Sequence, residues 1–121
     1  MKSLINVILL SGSIFSFSVS AAVERSLVFP TANISSLRTH SVTHHKAAAR
    51  NMTMFWVSGL EDSCTSLYLY NDDDPYLYST VLTGVTKESV LSVKVYYRTD
   101  ADRGPWGDAS SCKLTSFSIN K

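Results

Sequence analysis

The chain contains only two cysteines, Cys64 and Cys112. Their pairing constrains the fold more than any other feature of the 121 residues. Neither belongs to a C-x-x-C motif, the spacing of redox and metal sites. An even number of cysteines in a small exported domain reads as a structural disulfide. Closing a loop of that length removes unfolded-state entropy worth about 4 kcal/mol. That is a large share of the ~5–15 kcal/mol that holds a small domain together. The bridge therefore has to tie two distant parts of one core.

The oxidising compartment is read from the N-terminus. Lys2 supplies a positive start, Leu4 to Val19 is mostly apolar with interspersed serines, and Val19-Ser20-Ala21 offers small residues for cleavage. This is the pattern of a secretory signal peptide over residues 1–21, removed after Ala21. A membrane anchor fits less well, because the apolar run is short and rich in serine and glycine. No cysteine stands at the cleavage position to carry a lipid. The expected location is the periplasm or the exterior of a Gram-negative bacterium.

Cleavage leaves residues 22–121, with 10 basic and 10 acidic side chains once Lys2 is gone. Such a balance argues against a nucleic-acid partner, whose affinity comes largely from basic groups on phosphates. It argues equally against docking on anionic membranes, and no second segment is apolar enough to insert after cleavage.

Patterning divides the rest into short elements. Residues 22–33 read as an extended lead-in interrupted by Pro30, and residues 34–121 as one domain. A first strand falls within Ile34 to Val42, and Ser41 to Arg50 reads as a loop. Met52 to Ser58 alternates Thr53, Phe55 and Val57 against Met54 and Trp56. A third strand, Ser66 to Tyr70, sets Leu67 and Leu69 opposite Tyr68 and Tyr70. The acidic turn Asn71 to Asp74 leads into a helix from Pro75 to about Thr86, with Asp74 as the expected N-cap and Pro75 at the first helical position. Leu77, Tyr78, Val81, Leu82 and Val85 share its apolar face, while Gly84 and the threonines weaken it. A fourth strand over Leu91 to Arg98 points Leu91, Val93, Val95 and Tyr97 inward. After the loop Thr99 to Ser111, a last strand runs from Leu114 to Asn120.

Three strands, a helix and two strands is the element order of the OB-fold, a five-stranded Greek-key barrel. The expected fold is thus mostly β, a β1-β2-β3-α-β4-β5 barrel with one helix and one disulfide. An open α+β sheet of the same elements is the alternative.

From Met52 to Asn120 the chain resembles the OB-fold receptor-binding B subunits of secreted bacterial toxins, of the subtilase-cytotoxin and pertussis-like kind. The residues that carry the resemblance are Cys64, Tyr78-Ser79-Thr80-Val81-Leu82, Val93-Lys94-Val95-Tyr96-Tyr97, Trp106 and Cys112. It is similar, too, to small exported bacterial domains of unknown function that share this order of cysteine, helix and strand. The toxin resemblance implies a homopentamer with helices around a central pore and glycan binding on the outer surface. It carries over no individual sugar-contacting residue.

Trp56, Tyr68, Tyr70 and Tyr96 fall on outward faces of the central strands, the common ligand surface of OB-folds. Their rings suit the apolar faces of sugars, and equally suit burial beneath another segment or subunit. Trp106, in the turn Gly104-Pro105-Trp106-Gly107, is either a recognition anchor or a lid. His40, His44 and His45 lack a third ligand at diagnostic spacing, so a solvated loop is favoured over a metal site. Asp72 and Asp73 beside Asp74 lack the spacing of a calcium loop. No G-x-S-x-G, H-E-x-x-H, P-loop or Rossmann motif occurs. Asn33 and Asn51 head formal glycosylation sequons. The reading is an exported, non-catalytic binding protein without a cofactor or metal, directed at a host or cell-surface glycan. A monomeric periplasmic inhibitor or accessory protein that binds another protein is the alternative, and a small hydrolase is less favoured.

Overall fold

A computed structural model describes residues 23–120. The expected signal segment, residues 1–21, lies outside the described residues. Six strands and one helix follow in chain order: β1 (Glu24–Pro30), β2 (Ile34–Thr39), β3 (Met52–Val57), β4 (Ser66–Tyr70), α1 (Pro75–Thr86), β5 (Ser92–Arg98) and β6 (Ser111–Asn120). The strands form one sheet in the order β1-β5-β6-β4-β3-β2. Every pairing is antiparallel except β4 with β6. Among the described residues the fold is mostly β with one helix and one disulfide, as the sequence reads.

Two features differ from the expected barrel. The lead-in contains a full strand, because Arg25, Leu27 and Phe29 alternate inward and Glu24 to Pro30 pair with Arg98 to Ser92 of β5. The sheet thus takes in the lead-in from Glu24. The hydrogen-bonded sheet, moreover, is not closed: β1 and β2 are its two edges. Pro30, which has no N–H to give a ladder, and a 3-10 turn at Thr31–Asn33 break the chain between them. One half therefore pairs with β5 and the other with β3, and the open sheet of the same elements is what forms. Thr31 fixes the break by donating its N–H to the Leu91 carbonyl at 2.9 Å and its hydroxyl to the Val90 carbonyl at 2.9 Å.

The inner face of the sheet and the helix enclose the main core. Phe55, Leu67, Leu69, Val93, Val95, Tyr97, Leu114 and Phe117 are buried there with Val81 of α1. Phe55 meets Phe117 edge to face, with centroids 5.9 Å apart. Gly84, which weakens the helix by propensity, is what lets it approach β6. A Cβ there would stand 2.4 Å from Phe117 Cε1. Leu77, Tyr78 and Val85 pack at the margin of this core. Asp74 occupies the N-cap position, but its side chain makes no capping bond. Leu91 is the other departure, for it lies before β5 and is 75% exposed rather than core-facing.

The disulfide joins Cys64, just before β4, to Cys112, the second residue of β6, with Cα atoms 5.8 Å apart. It clips the parallel β4–β6 pair, which has only three registered residue pairs. Strand β6 begins at Ser111, three residues earlier than the pattern indicates, and so takes the cysteine into the sheet. No helix among the described residues is long and apolar enough to cross a membrane.

Candidate functional site

Strand register decides which outward residues become neighbours. On the outer face Ser36 and Arg38 of β2 stand opposite Trp56 and Met54 of β3. Met52 and Met54 stand opposite Tyr70 and Tyr68 of β4. These residues build a second, smaller core of Met52, Met54 and Tyr68, with Trp56, Tyr70 and Trp106 packed around it.

Two loops roof that cluster. The loop after β5 lays Trp106 across Tyr68, edge to face at 5.1 Å. Arg103 pins it: Nε donates to the Thr99 carbonyl at 2.7 Å, Nη1 to Ala109 at 2.8 Å and Nη2 to Asp62 at 2.7 Å. Gly104 is required at its position, since a Cβ would meet the Asp108 carbonyl oxygen at 2.2 Å. The Tyr68 hydroxyl donates to the Asp102 carbonyl. Burial foremost, and then the nearby Tyr70 and Asp102, push that hydroxyl well above the usual tyrosine range.

The second roof is the loop between β2 and β3. Its 3-10 turn at Ala47–Ala49 buries Ala49, and the Tyr70 hydroxyl donates to Ala48. His40 Nδ1 bonds the Ala49 carbonyl at 2.9 Å, and the Lys46 N–H donates to His44 Nδ1 at 3.1 Å. Those bonds make Nδ1 the protonated nitrogen of His40 and the bare one of His44. The His40 and His44 rings stack at 4.2 Å, and His45 lies against His44 at 4.3 Å. Beneath the loop a polar chain runs from Thr39 through Thr53 and Asn71 to Asn51. The Asn51 side chain thus accepts a hydrogen bond within the fold.

Between the two roofs a groove of about 270 Å³ stays open. Trp56, Trp106 and Met54 form its apolar lining, and Arg38, Lys46, His40, His44 and His45 bring nitrogen-bearing side chains to it. Asp108 is the one carboxylate there, and its Oδ1 already accepts from the Ser110 N–H at 3.0 Å and hydroxyl at 2.6 Å. Arg38 lies over the Trp56 ring at 5.0 Å and forms no ion pair among the described residues. A cation held on an aromatic face keeps its N–H edges for another acceptor. The groove therefore offers flat apolar surface beside two cationic side chains, Arg38 and Lys46. No cluster of three His, Cys, Asp or Glu able to hold a metal occurs among the described residues.

The sequence-marked aromatics divide accordingly. Trp56 and Trp106 line the groove. Tyr68 is enclosed at 1% exposure, and Tyr70 is half-buried beside it. Tyr96 lies apart on β5, opposite Ser26 and Ser116, with the Lys94 ammonium 5.0 Å from its ring. Arg38, Lys46 and Asp108 carry no local signal in the sequence. The outward position of Arg38 is readable from alternation, but its place beside Trp56 needs the β2–β3 register. Comparison with protein-family models, with curated proteins and with solved structures finds no match.

Proposed function

We propose that the protein is an exported, non-catalytic binding module that holds a glycan in the groove between Trp56 and Trp106. The observation that carries this reading is the joint lining of one groove by two indoles and five nitrogen-bearing side chains. Indole surface suits the C–H faces of a pyranose, while fixed N–H groups select its oxygen substituents. Both tryptophans sit on supported backbone, one in a central strand and one in an arginine-pinned loop, so little ordering is lost on binding.

Binding of the oxidised mature domain to a glycan array is the direct test. Trp56→Ala and Trp106→Ala are each expected to weaken binding at least tenfold, which corresponds to about 1.4 kcal/mol. Retention of full binding by both folded variants would refute the assignment. Light scattering on the same sample would show whether the groove is presented once or several times. A mass near five chains supports the ring assembly that the toxin resemblance implies.

A further inference from the structure

We propose that the histidines of the β2–β3 loop form a proton-operated latch, with His44 as the residue that senses the proton. Proton uptake by His44 releases the loop and takes away one wall of the groove. The device belongs to the loop itself and is the same whatever the groove binds.

The Lys46 N–H donates to His44 Nδ1 at 3.1 Å. In neutral His44 the ring proton therefore sits on Nε2, and Nδ1 carries the only free lone pair. A second proton has nowhere else to go. Once it is there, two N–H groups face each other and the bond is lost. His40 is built the opposite way. Its Nδ1 already donates to the Ala49 carbonyl at 2.9 Å, so a second proton enters at Nε2 and leaves that bond in place.

Charge adds to the lost bond. The His44 ring lies between those of His40 and His45, with centroids at 4.2 and 4.3 Å. Neutral imidazoles stack at that separation, whereas like charges repel. The elements packed around the stack bring mostly positive charge. Arg38 of β2 lines the same groove, Lys46 and Arg50 belong to the loop, and Arg50 Nε donates to the His44 carbonyl at 2.6 Å. From β4 the Tyr70 hydroxyl reaches Ala48. Asp108, in the loop after β5, is the one carboxylate lining the groove, and Ser110 engages it.

Little else holds the loop down. Its base is closed by the Asn51 N–H on the Ser41 carbonyl at 3.1 Å. Between those residues it meets the sheet through buried Ala49, the His40 ring and the Tyr70 hydroxyl. Cover of this kind opens at low free energy, so one bond and one repulsion can shift it. His40, His44, His45, Lys46 and Ala49 line the groove, and that wall leaves with the loop. Trp106, on the loop pinned by Arg103, keeps its place.

Hydrogen exchange of the oxidised mature protein, corrected for the intrinsic rate, tests the latch from about pH 8 to about pH 5, where an imidazole gains its second proton. Protection over residues 41–51 is expected to fall roughly tenfold, the scale of one lost hydrogen bond. Residues 99–110 should stay unchanged. His44→Asn places a side-chain oxygen two residues before the Lys46 N–H, as in an Asx turn, and has no proton to gain. It should keep the loop protected at both pH values. His45→Asn, which removes the outer ring but not the bond, should retain most of the fall. Thermal melts would establish that both variants are folded. Ring-nitrogen NMR on the unmodified protein gives an independent reading. His44 should be the Nε2–H tautomer at the higher pH, and its protonation should coincide with loss of Lys46 amide protection. Equal protection at both pH values, an equal fall in folded His44→Asn, or an Nδ1–H tautomer at His44 would each overturn the latch.

Discussion

The two faces of the sheet carry two apolar clusters with opposite construction. The inner one is aliphatic and phenylalanine-rich and is sealed by α1. The outer one is built from methionine, tyrosine and tryptophan and is sealed by two loops. A helix satisfies its own backbone, so it can lie on a core through side-chain packing alone. A loop cannot, and here the arginine, aspartate, histidine and tyrosine side chains supply its polar bonds. Cover that depends on few polar bonds opens at lower free energy than a packed helix. The same pair of loops leaves a gap between them, and the groove is that gap. The helix-sealed core and the open groove thus lie on opposite faces of the same strands.

The largest effect is expected where the inner cluster is cut. Phe55→Ala removes a fully buried ring and should cost roughly 3–5 kcal/mol, read as a shifted denaturant midpoint. A change under 1 kcal/mol would mean that the inner face is not the dominant core.

Gly84→Ala probes the helical seal next. In an exposed helix this substitution stabilises by ~1 kcal/mol. Here the new methyl meets the buried Phe117 ring, and a net loss of about 1–3 kcal/mol is expected in thermal melts. A stabilised variant would show that the helix does not rest on β6 this closely.

The loop seal should respond more weakly and more locally. Tyr68→Phe deletes the hydroxyl bond to Asp102 at a cost of about 1 kcal/mol. Hydrogen exchange should accelerate over residues 99–110 and stay unchanged in β5 and β6. The same variant tests the alkaline limb of stability. Unfolded tyrosine loses its proton near pH 10, whereas burial raises the folded value for Tyr68. Its contribution is therefore complete below about pH 10 and falls as the pH climbs above it. Tyr68→Phe should flatten that fall, with Tyr70, raised by burial and then by Asp73, retaining part of it. An unaltered alkaline slope would contradict the enclosed hydroxyl.

Asp74→Ala is expected to be the mildest change. A lost N-cap usually costs ~1 kcal/mol, but this side chain makes no cap bond, so less than about 0.5 kcal/mol should be lost. A full capping cost would mean that the aspartate reaches the helix N–H groups in solution.

Local chemistry made several elements legible. Pro75 and the i, i+4, i+8 spacing of Leu77, Val81 and Val85 define α1 from Pro75 to Thr86. Strict alternation marks β5, and Cys64 with Cys112 marks the bridge. Other features escaped. Alternation places Trp56 outward and Phe55 inward, as found, but does not show that the outer face of β3 is itself covered, with Met52 and Met54 buried. Leu91 looks like part of an inward series until Thr31 binds its carbonyl and fixes it outside β5. Trp106 as roof and wall, and Arg38 as its neighbour across the groove, depend on residues far away in the chain.

The amino-acid order by itself determined the β-rich class, the helix with its limits and the cysteine pair. These follow from periodicities of two and 3.6 residues and from the chemistry of proline and cysteine, all of which act over a few bonds. Only tertiary structure decided that the lead-in is an edge strand, that the sheet stays open at Pro30, and that the outer aromatics form a roofed cluster with a cationic groove. Those outcomes depend on strand register and on loops meeting across the sheet. A one-residue change of register turns every side chain of a strand to the other face, so no local pattern encodes which residues finally meet.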